Sequence, residues 1–236
     1  MRCFALPLWL AAFWLVGCAA PHTAAPIKTL PQPPTQRLLH HWVDAGETLY
    51  SIAWRYDLDY RDLARVNGLR EPYRLQRNQR LTLDMSSPPA TRSDTSPSVV
   101  RRANKPARTP TAVASELFDN RWQWPASGSV ERGFAPAAHH HGLSLAGSGG
   151  RPVKSAAAGL VVYAGEGLRG FGKLVIVKHS DLLLSAYGHN SVLKVKEGDA
   201  VKVDTELANA AENGRVYFEI RRDGKPVNPI DFLPVR

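Results

Sequence analysis

The chain has 236 residues, which leaves room for one or two compact domains and the segments that connect them. Its formal net charge is +9 and the positive side chains are spread along the chain, which favours an anionic partner such as nucleic acid, acidic lipid or a cell-wall polymer. No zinc-finger spacing, aromatic RNA-binding run or basic heptad region is present, so nucleic acid is not the expected partner.

The first residues, MRCFALPLWLAAFWLVGC, contain an apolar run that ends at Val16. This run is shorter than the about 20 residues of a membrane-spanning helix and is typical of a removable signal sequence. The ending LVGC resembles a bacterial lipobox, in which the cysteine becomes lipidated; an ordinary signal peptide with an incidental cysteine is the alternative. We therefore predict a lipoprotein signal peptide at 1–17 and a lipid anchor at Cys18, and Ala19 resembles the signal for the outer membrane.

Two segments of the mature chain are too poor in large apolar residues to build a core. Residues 18–39 are rich in Pro and Thr and predict an extended tether. Residues 86–116 predict a disordered, basic linker rich in Pro, Ser and Thr, either solvated or touching an anionic surface. These segments delimit a small module at 40–85 and a larger one at 117–236.

The small module shows the periodicity of two short helices between two strands. Apolar residues from Leu49 to Tyr56 follow the spacing of one helix face, and Thr48 is a suitable N-cap. A second helix is predicted to begin near Asp59 and to stop at Asn67-Gly68. Short apolar runs at 42–43 and 80–83 complete a β-α-α-β unit.

The pattern VxxGETLxSIA, followed by LxxxNGL and NQxL, resembles a LysM domain. LysM domains bind glycans that contain N-acetylglucosamine, so the resemblance implies peptidoglycan as a partner. The residues expected to bind glycan lie in the two loops beside the helices: Gly46, Glu47, Thr48, Leu49, Asn67, Gly68 and Leu69. The usual Pro-Gly before the last strand is Arg77-Asn78 here, and Asn tolerates the left-handed conformation better than most residues.

The large module has the texture of β-structure. Short apolar or alternating runs at 160–163, 174–177, 182–186 and 216–220 are separated by turns rich in Gly or charge. An all-β sandwich or barrel is therefore expected, so that the whole chain is mainly β.

The motifs HxGLSL at 140–145, YGH at 187–189 and FEIR at 218–221 resemble those of the LytM-type zinc metallopeptidases. The resemblance covers almost all of 122–234. By this resemblance His140 stands where the first zinc ligand belongs, while Ser144 and Tyr217 stand in place of the Asp and the second His ligand. Arg215 replaces one assisting His, and His189 keeps the position of the other.

A catalytic zinc site needs about three protein ligands and an open position for water. Only one of the three expected ligands is present, and tyrosine, with a reference pKa near 10, is largely protonated at neutral pH. We therefore expect no metal cofactor and no enzymatic activity.

The combination of lipoprotein signal, LysM module, basic linker and LytM-like module resembles the NlpD/EnvC-type amidase activators. That resemblance implies a groove that binds a periplasmic N-acetylmuramoyl-L-alanine amidase at the division septum. The residues expected to line the groove are His140, Ser144, Tyr163, Phe171, His189, Arg215 and Tyr217. The short loop 208–214 stands where the family has a Gly-rich loop, so one groove wall is expected to be shorter. Two alternatives stay open: a glycan-binding envelope tether and a zinc endopeptidase.

Overall fold

The computed structural model describes residues 38–86, 114, 118–147 and 149–236. The predicted signal peptide, Cys18, nearly all of the tether and most of the basic linker lie outside the described residues. Below, residues 38–86 are called the small module and residues 118–236 the large module. No helix within the described ranges is long and apolar enough to cross a membrane.

The small module contains two strands and two helices, in the order predicted. Strand β1 (His40–Trp42) pairs antiparallel with β2 (Arg80–Thr82), and helices α1 (Leu49–Arg55) and α2 (Tyr60–Val66) lie between them in the chain. Thr48 caps α1 by accepting a hydrogen bond from the backbone N–H of Ser51.

The start of the second helix and the conformation of the last turn of the small module are also determined by residues within or next to them. Asp59 caps α2 by accepting a hydrogen bond from the backbone N–H of Arg61. Asn78 has a φ of 62°, the left-handed conformation expected where the usual glycine is missing.

The large module is built from ten strands. They are β3 (Ser129–Arg132), β4 (Leu143–Ala146), β5 (Pro152–Lys154), β6 (Gly159–Gly165), β7 (Lys173–Lys178), β8 (Leu183–Leu193), β9 (Ala200–Val201), β10 (Glu206–Ala210), β11 (Val216–Arg222) and β12 (Lys225–Val227). The main path of the antiparallel sheet is β3-β4-β11-β8-β7-β6-β9, while β10 pairs with β5 and β8, and β12 with β11. The predicted mainly β fold class is confirmed.

Each module has a buried apolar core, and the core of the small module continues into the large one. Tyr50 and Trp54 on α1 belong to the same buried cluster as Leu160, Leu174 and Ile176 of the large module. A second cluster around Leu143, Tyr187 and Phe218 fills the interior of the large module. Residues of both modules thus belong to one compact unit.

One glycine shows how closely the modules approach. A Cβ atom on Gly224, in the turn between β11 and β12, would lie 2.6 Å from the Cα of Asp59, the cap of α2. No side chain fits at that distance, so the contact between this turn and the small module depends on glycine.

Candidate functional site

The register of three strands brings the predicted site residues together. In β11, Tyr217 pairs with Ser144 of β4 on one side and with Gly188 of β8 on the other. His140 precedes β4 and forms an isolated bridge with Ala135. Residues that are far apart in sequence therefore meet on three adjacent strands.

His140 is buried, and both of its ring nitrogens are occupied. Nδ1 lies 2.9 Å from the carbonyl oxygen of Gly133, and Nε2 lies 3.0 Å from the Ser144 hydroxyl. Because a carbonyl only accepts, Nδ1 carries the proton and Nε2 accepts the hydrogen bond from Ser144. The nitrogen that faces the site is thus engaged by a neutral hydroxyl.

Tyr217 is the centre of an aromatic cluster. Its ring centroid lies 5.3 Å from that of Phe171, 5.8 Å from that of His140 and 6.2 Å from that of His189. Its hydroxyl donates a hydrogen bond of 2.5 Å to Glu219. Burial, together with the carboxylate of Glu219, raises the pKa of Tyr217 far above its ordinary value, so the side chain is a neutral phenol.

The ring of Tyr217 fits because residue 142 is glycine. A Cβ atom at Gly142 would lie 2.4 Å from the carbonyl oxygen of Phe218 and 3.0 Å from Cζ of Tyr217. The glycine directly before β4 therefore allows the close approach of β11 that places the tyrosine here.

Glu219 and Arg221 continue from Tyr217 on the same face of β11, because side chains two residues apart share a face of a strand. The Glu219 side chain is 1% exposed and accepts a hydrogen bond of 2.6 Å from Nε of Arg221. Burial raises the pKa of Glu219, and the guanidinium of Arg221 opposes that shift. The buried carboxylate is thus compensated by one cation and one phenol.

Arg215 and His189 lie at a second part of the site. The Arg215 side chain is 60% exposed and forms an ion pair of 2.7 Å with Glu131 of β3. Burial and the nearby Arg215 both lower the pKa of His189, so its neutral form is favoured at neutral pH.

Five of the seven predicted groove residues divide between two cavities, and His140 and Tyr163 line neither of them. Tyr217 and Phe171 line one of about 570 Å³, and Ser144, His189 and Arg215 line another of about 470 Å³.

Tyr163 lies elsewhere. It is 2% exposed, packs in the cluster shared by the two modules, and accepts a hydrogen bond of 2.8 Å from the backbone N–H of Gly167.

Sequence reasoning missed several residues of the larger cavity. Glu219 and Arg221 line it, as do Trp54 and Asp57 of the small module. The period-two spacing of Tyr217, Glu219 and Arg221 could have indicated the first two. No local signal in the sequence indicated the contribution of the small module.

Most residues predicted to bind glycan have internal partners in the small module. The Glu47 carboxylate accepts a hydrogen bond of 2.6 Å from Nε2 of His41 and forms an ion pair of 2.5 Å with Arg55. The Asn67 side chain bonds to the backbone of Leu63 and Thr82, Thr48 caps α1, and Leu49 is fully buried. Gly46 and Gly68 are exposed and Leu69 is half-buried, so in these loops the surface is formed largely by backbone.

The donor set around His140 does not resemble a metal centre. Its neighbours in the site are the hydroxyl of Ser144 and the phenol of Tyr217, each engaged in a hydrogen bond. Within the part of the chain that the structure describes, no three His, Cys, Asp or Glu side chains are placed to hold a metal ion together.

Comparison with known proteins assigns each of the two modules to a domain family. The LysM domain family matches residues 41–84, and Peptidase family M23 matches residues 138–229. The "Lipoprotein NlpD/LppB homolog" of Pseudomonas aeruginosa is 38% identical over 82% of this chain and 76% of its own length. The chain belongs to the NlpD/LppB lipoprotein family.

A second member of the NlpD/LppB family carries a functional name. The "Murein hydrolase activator NlpD" of Salmonella typhimurium is 33% identical over 82% of this chain and 68% of its own length. Among solved structures, a putative peptidase M23 from Pseudomonas aeruginosa aligns with 26% identity and a TM-score of 0.44, over 49% of this chain and 51% of that one.

Proposed function

We propose that this protein is a non-enzymatic, peptidoglycan-binding lipoprotein that activates a periplasmic N-acetylmuramoyl-L-alanine amidase for septal wall splitting. Its lipid anchor at Cys18 would hold it in the outer membrane, facing the periplasm. Among its relatives, the protein of Salmonella typhimurium is named a murein hydrolase activator, and the LysM match supports peptidoglycan as a partner.

The observation that carries the non-enzymatic part of this proposal is the state of Tyr217. Its ring fills the space between His140, His189 and Phe171, and its hydroxyl is committed to Glu219. Ser144, in the position of the expected carboxylate ligand, offers only a neutral hydroxyl to His140. Zinc does not fit this set of donors, because a catalytic site requires about three strong ligands and an open position.

A surface without catalytic groups can still change the activity of a partner. A protein that binds only the open state of an autoinhibited enzyme shifts the population toward that state by its differential affinity. Arg and Tyr are frequent anchors of protein interfaces, and Arg215 is exposed beside His189 and Ser144. We therefore assign Arg215 to amidase binding.

The direct test mixes the purified protein with the amidase of the same organism and with dye-labelled sacculi. We expect dye release to require both proteins and to exceed that of the amidase alone. Unchanged release at saturating protein, with retained binding to sacculi, would support the glycan-binding tether instead. Release by this protein alone, abolished by a chelator, would establish a zinc endopeptidase.

Arg215→Glu should abolish activation and leave the fold intact, because an exposed ion pair contributes about 0–1 kcal/mol. The double variant Glu131→Arg/Arg215→Glu keeps the ion pair with its charges exchanged and should still fail to activate. Lys202→Glu changes the net charge equally at an exposed residue outside both cavities and should activate normally. Full activation by Arg215→Glu would show that the amidase binds elsewhere.

A further inference from the structure

The cavity of about 570 Å³ beside Tyr217 is lined by both modules. The large module contributes Tyr217, Phe171 and Arg169, and the small module contributes Asp44, Trp54 and Asp57. The groove of the LytM-like module therefore has one wall that belongs to the LysM module. The LysM match alone accounts for glycan binding and does not explain this wall.

A buried lysine holds the small module in this position. Lys178 of β7 is 0% exposed, and its Nζ donates a hydrogen bond of 2.6 Å to the hydroxyl of Tyr60 on α2. The same Nζ lies 4.6 Å from the centre of the Tyr60 ring and 5.7 Å from that of Tyr50, within the range of cation–π attraction. It also lies 3.8 Å from Glu71 of the small module and 3.4 Å from Asp181. A cation buried among these groups is stable only while the two modules are in contact.

A second contact links the wall directly to the floor of the groove. The guanidinium of Arg221 stacks on the ring of Trp54 at 3.9 Å and forms an ion pair of 2.7 Å with Asp57. Through Nε it also binds Glu219, which accepts the hydrogen bond of Tyr217. A continuous chain of polar contacts thus runs from α1 of the small module to the tyrosine at the former metal position.

The cavity of about 570 Å³ is present together with these contacts, and charged side chains lie at its edge. Neither the exposed guanidinium of Arg169 nor the exposed carboxylate of Asp44 has a hydrogen-bond or ion-pair partner among the described residues. Most of the apolar surface of the cavity comes from Phe171, which is half-buried, because Leu168 and Trp54 are only 2% and 3% exposed. Such a groove fits a peptide segment with a carboxylate for Arg169, a basic side chain for Asp44 and an apolar side chain for Phe171.

We propose that the two modules form one shared groove, in which a segment of the amidase with an acidic, a basic and an apolar side chain is held between α1 of the LysM module and the turn at 168–171. This rests on the proposed function, since the occupant is the amidase. The LysM module then has two roles: it contacts the wall glycan through its loops, and it contributes to the partner site through Asp44, Trp54 and Asp57.

The test measures the affinity of the full chain for the amidase, together with dye release, for one variant on each wall. Arg169→Glu and Asp44→Lys reverse the two unpaired charges and should each weaken binding about tenfold, because each change places a like charge against its partner. Asp62→Lys is the matched control for Asp44→Lys, since Asp62 is an exposed acid of the same module outside the cavity. Lys202→Glu is the control for Arg169→Glu.

A photoreactive phenylalanine analogue in place of Asp44 should crosslink to the amidase, and the same analogue in place of Asp62 should not. If the amidase binds and is activated but Asp44→Lys matches wild type and position 44 gives no crosslink, the shared groove is overturned while the proposed function stands. Stronger binding or faster dye release by Asp44→Lys would mean that the LysM module blocks the groove, which also overturns the proposal. If the wild-type protein neither binds nor activates the amidase, the proposed function itself fails.

Discussion

Lys178 and His179 are neighbours at the end of β7, and both are fully buried, yet they are accommodated in different ways. Lys178 faces the small module, where the hydroxyl of Tyr60 and the carboxylates of Glu71 and Asp181 surround its ammonium group. His179 faces the large module, between the carbonyl oxygen of Ala158 at 2.7 Å and the hydroxyl of Ser185 at 2.7 Å.

The comparison shows two ways to bury an ionisable group. Burial lowers the pKa of both residues, but for Lys178 the nearby carboxylates oppose that shift and favour the charged form. Burial lowers the pKa of His179 to about 4, and the hydrogen bond with the carbonyl oxygen of Ala158 opposes that shift only in part. The contact between the modules therefore combines apolar packing with a buried cation, whereas the histidine next to it in the chain is buried in its neutral form.

The largest effect is expected when the buried cation is removed. Lys178→Ala should lower the free energy of unfolding by about 3–5 kcal/mol, because it leaves a cavity and uncompensated carboxylates between the modules. Lys178→Met keeps most of the volume and should cost less. Urea denaturation followed by tryptophan fluorescence measures both, since Trp54 lies in the contact.

Lys194→Ala provides the control for this measurement. Its ion pair with Glu206 has the same length of 2.6 Å as the hydrogen bond from Lys178 to Tyr60, but the Lys194 side chain is 37% exposed. A loss of about 1 kcal/mol or less is expected. Equal losses for Lys178→Ala and Lys194→Ala would show that Lys178 does not hold the modules together.

His179 should make the stability of the protein depend on pH. Its imidazole is neutral when folded, with a pKa of about 4, and titrates near 6.5 when unfolded. Its contribution to stability is fully present above about pH 6.5 and is lost as the pH falls toward 4, by about 3 kcal/mol in total. His179→Gln should flatten the dependence of the urea midpoint on pH over this range.

A smaller loss of stability is expected when the hydrogen bond between Tyr217 and Glu219 is removed. Tyr217→Phe removes the hydroxyl that donates to Glu219 but keeps the ion pair of Glu219 with Arg221. We expect a loss of about 1–3 kcal/mol, because a buried carboxylate loses one of its two donors. A thermal denaturation curve identical to that of wild type would mean that Arg221 alone compensates Glu219.

The smallest effect is expected at the edge of the contact. Asp223→Ala removes an ion pair of 2.6 Å with Arg61, but the Asp223 side chain is 52% exposed and Arg61 keeps its bond to Asp59. The free energy of unfolding should fall by less than about 1 kcal/mol. If Asp223→Ala lowered the free energy of unfolding as much as Lys178→Ala does, the turn that contains Asp223 would be the main contact between the modules.

The elements of the small module could be predicted because their signals are local. Thr48 and Asp59 cap the helices through hydrogen bonds within three residues, and Asn78 adopts the left-handed conformation that its turn requires. The resemblance to the LytM-type peptidases predicted that Tyr217 and Ser144 lie in one site, and the two are paired residues of β11 and β4. The division of the predicted groove residues between two cavities, and the burial of Tyr163 in the contact between the modules, depended on packing that no motif describes.

The sequence by itself determined the two modules and the mainly β class, and it identified Ser144 and Tyr217 as residues of the candidate site. These properties depend on short-range patterns and on residue chemistry. Only the tertiary structure decided that the small module forms a wall of the groove. That contact joins Lys178 to Tyr60 across 118 residues and Arg221 to Trp54 across 167 residues. Such pairs form because a charged side chain that is buried needs a partner for its charge or its hydrogen bonds. The sequence around either residue gives no indication of which distant residue that partner is.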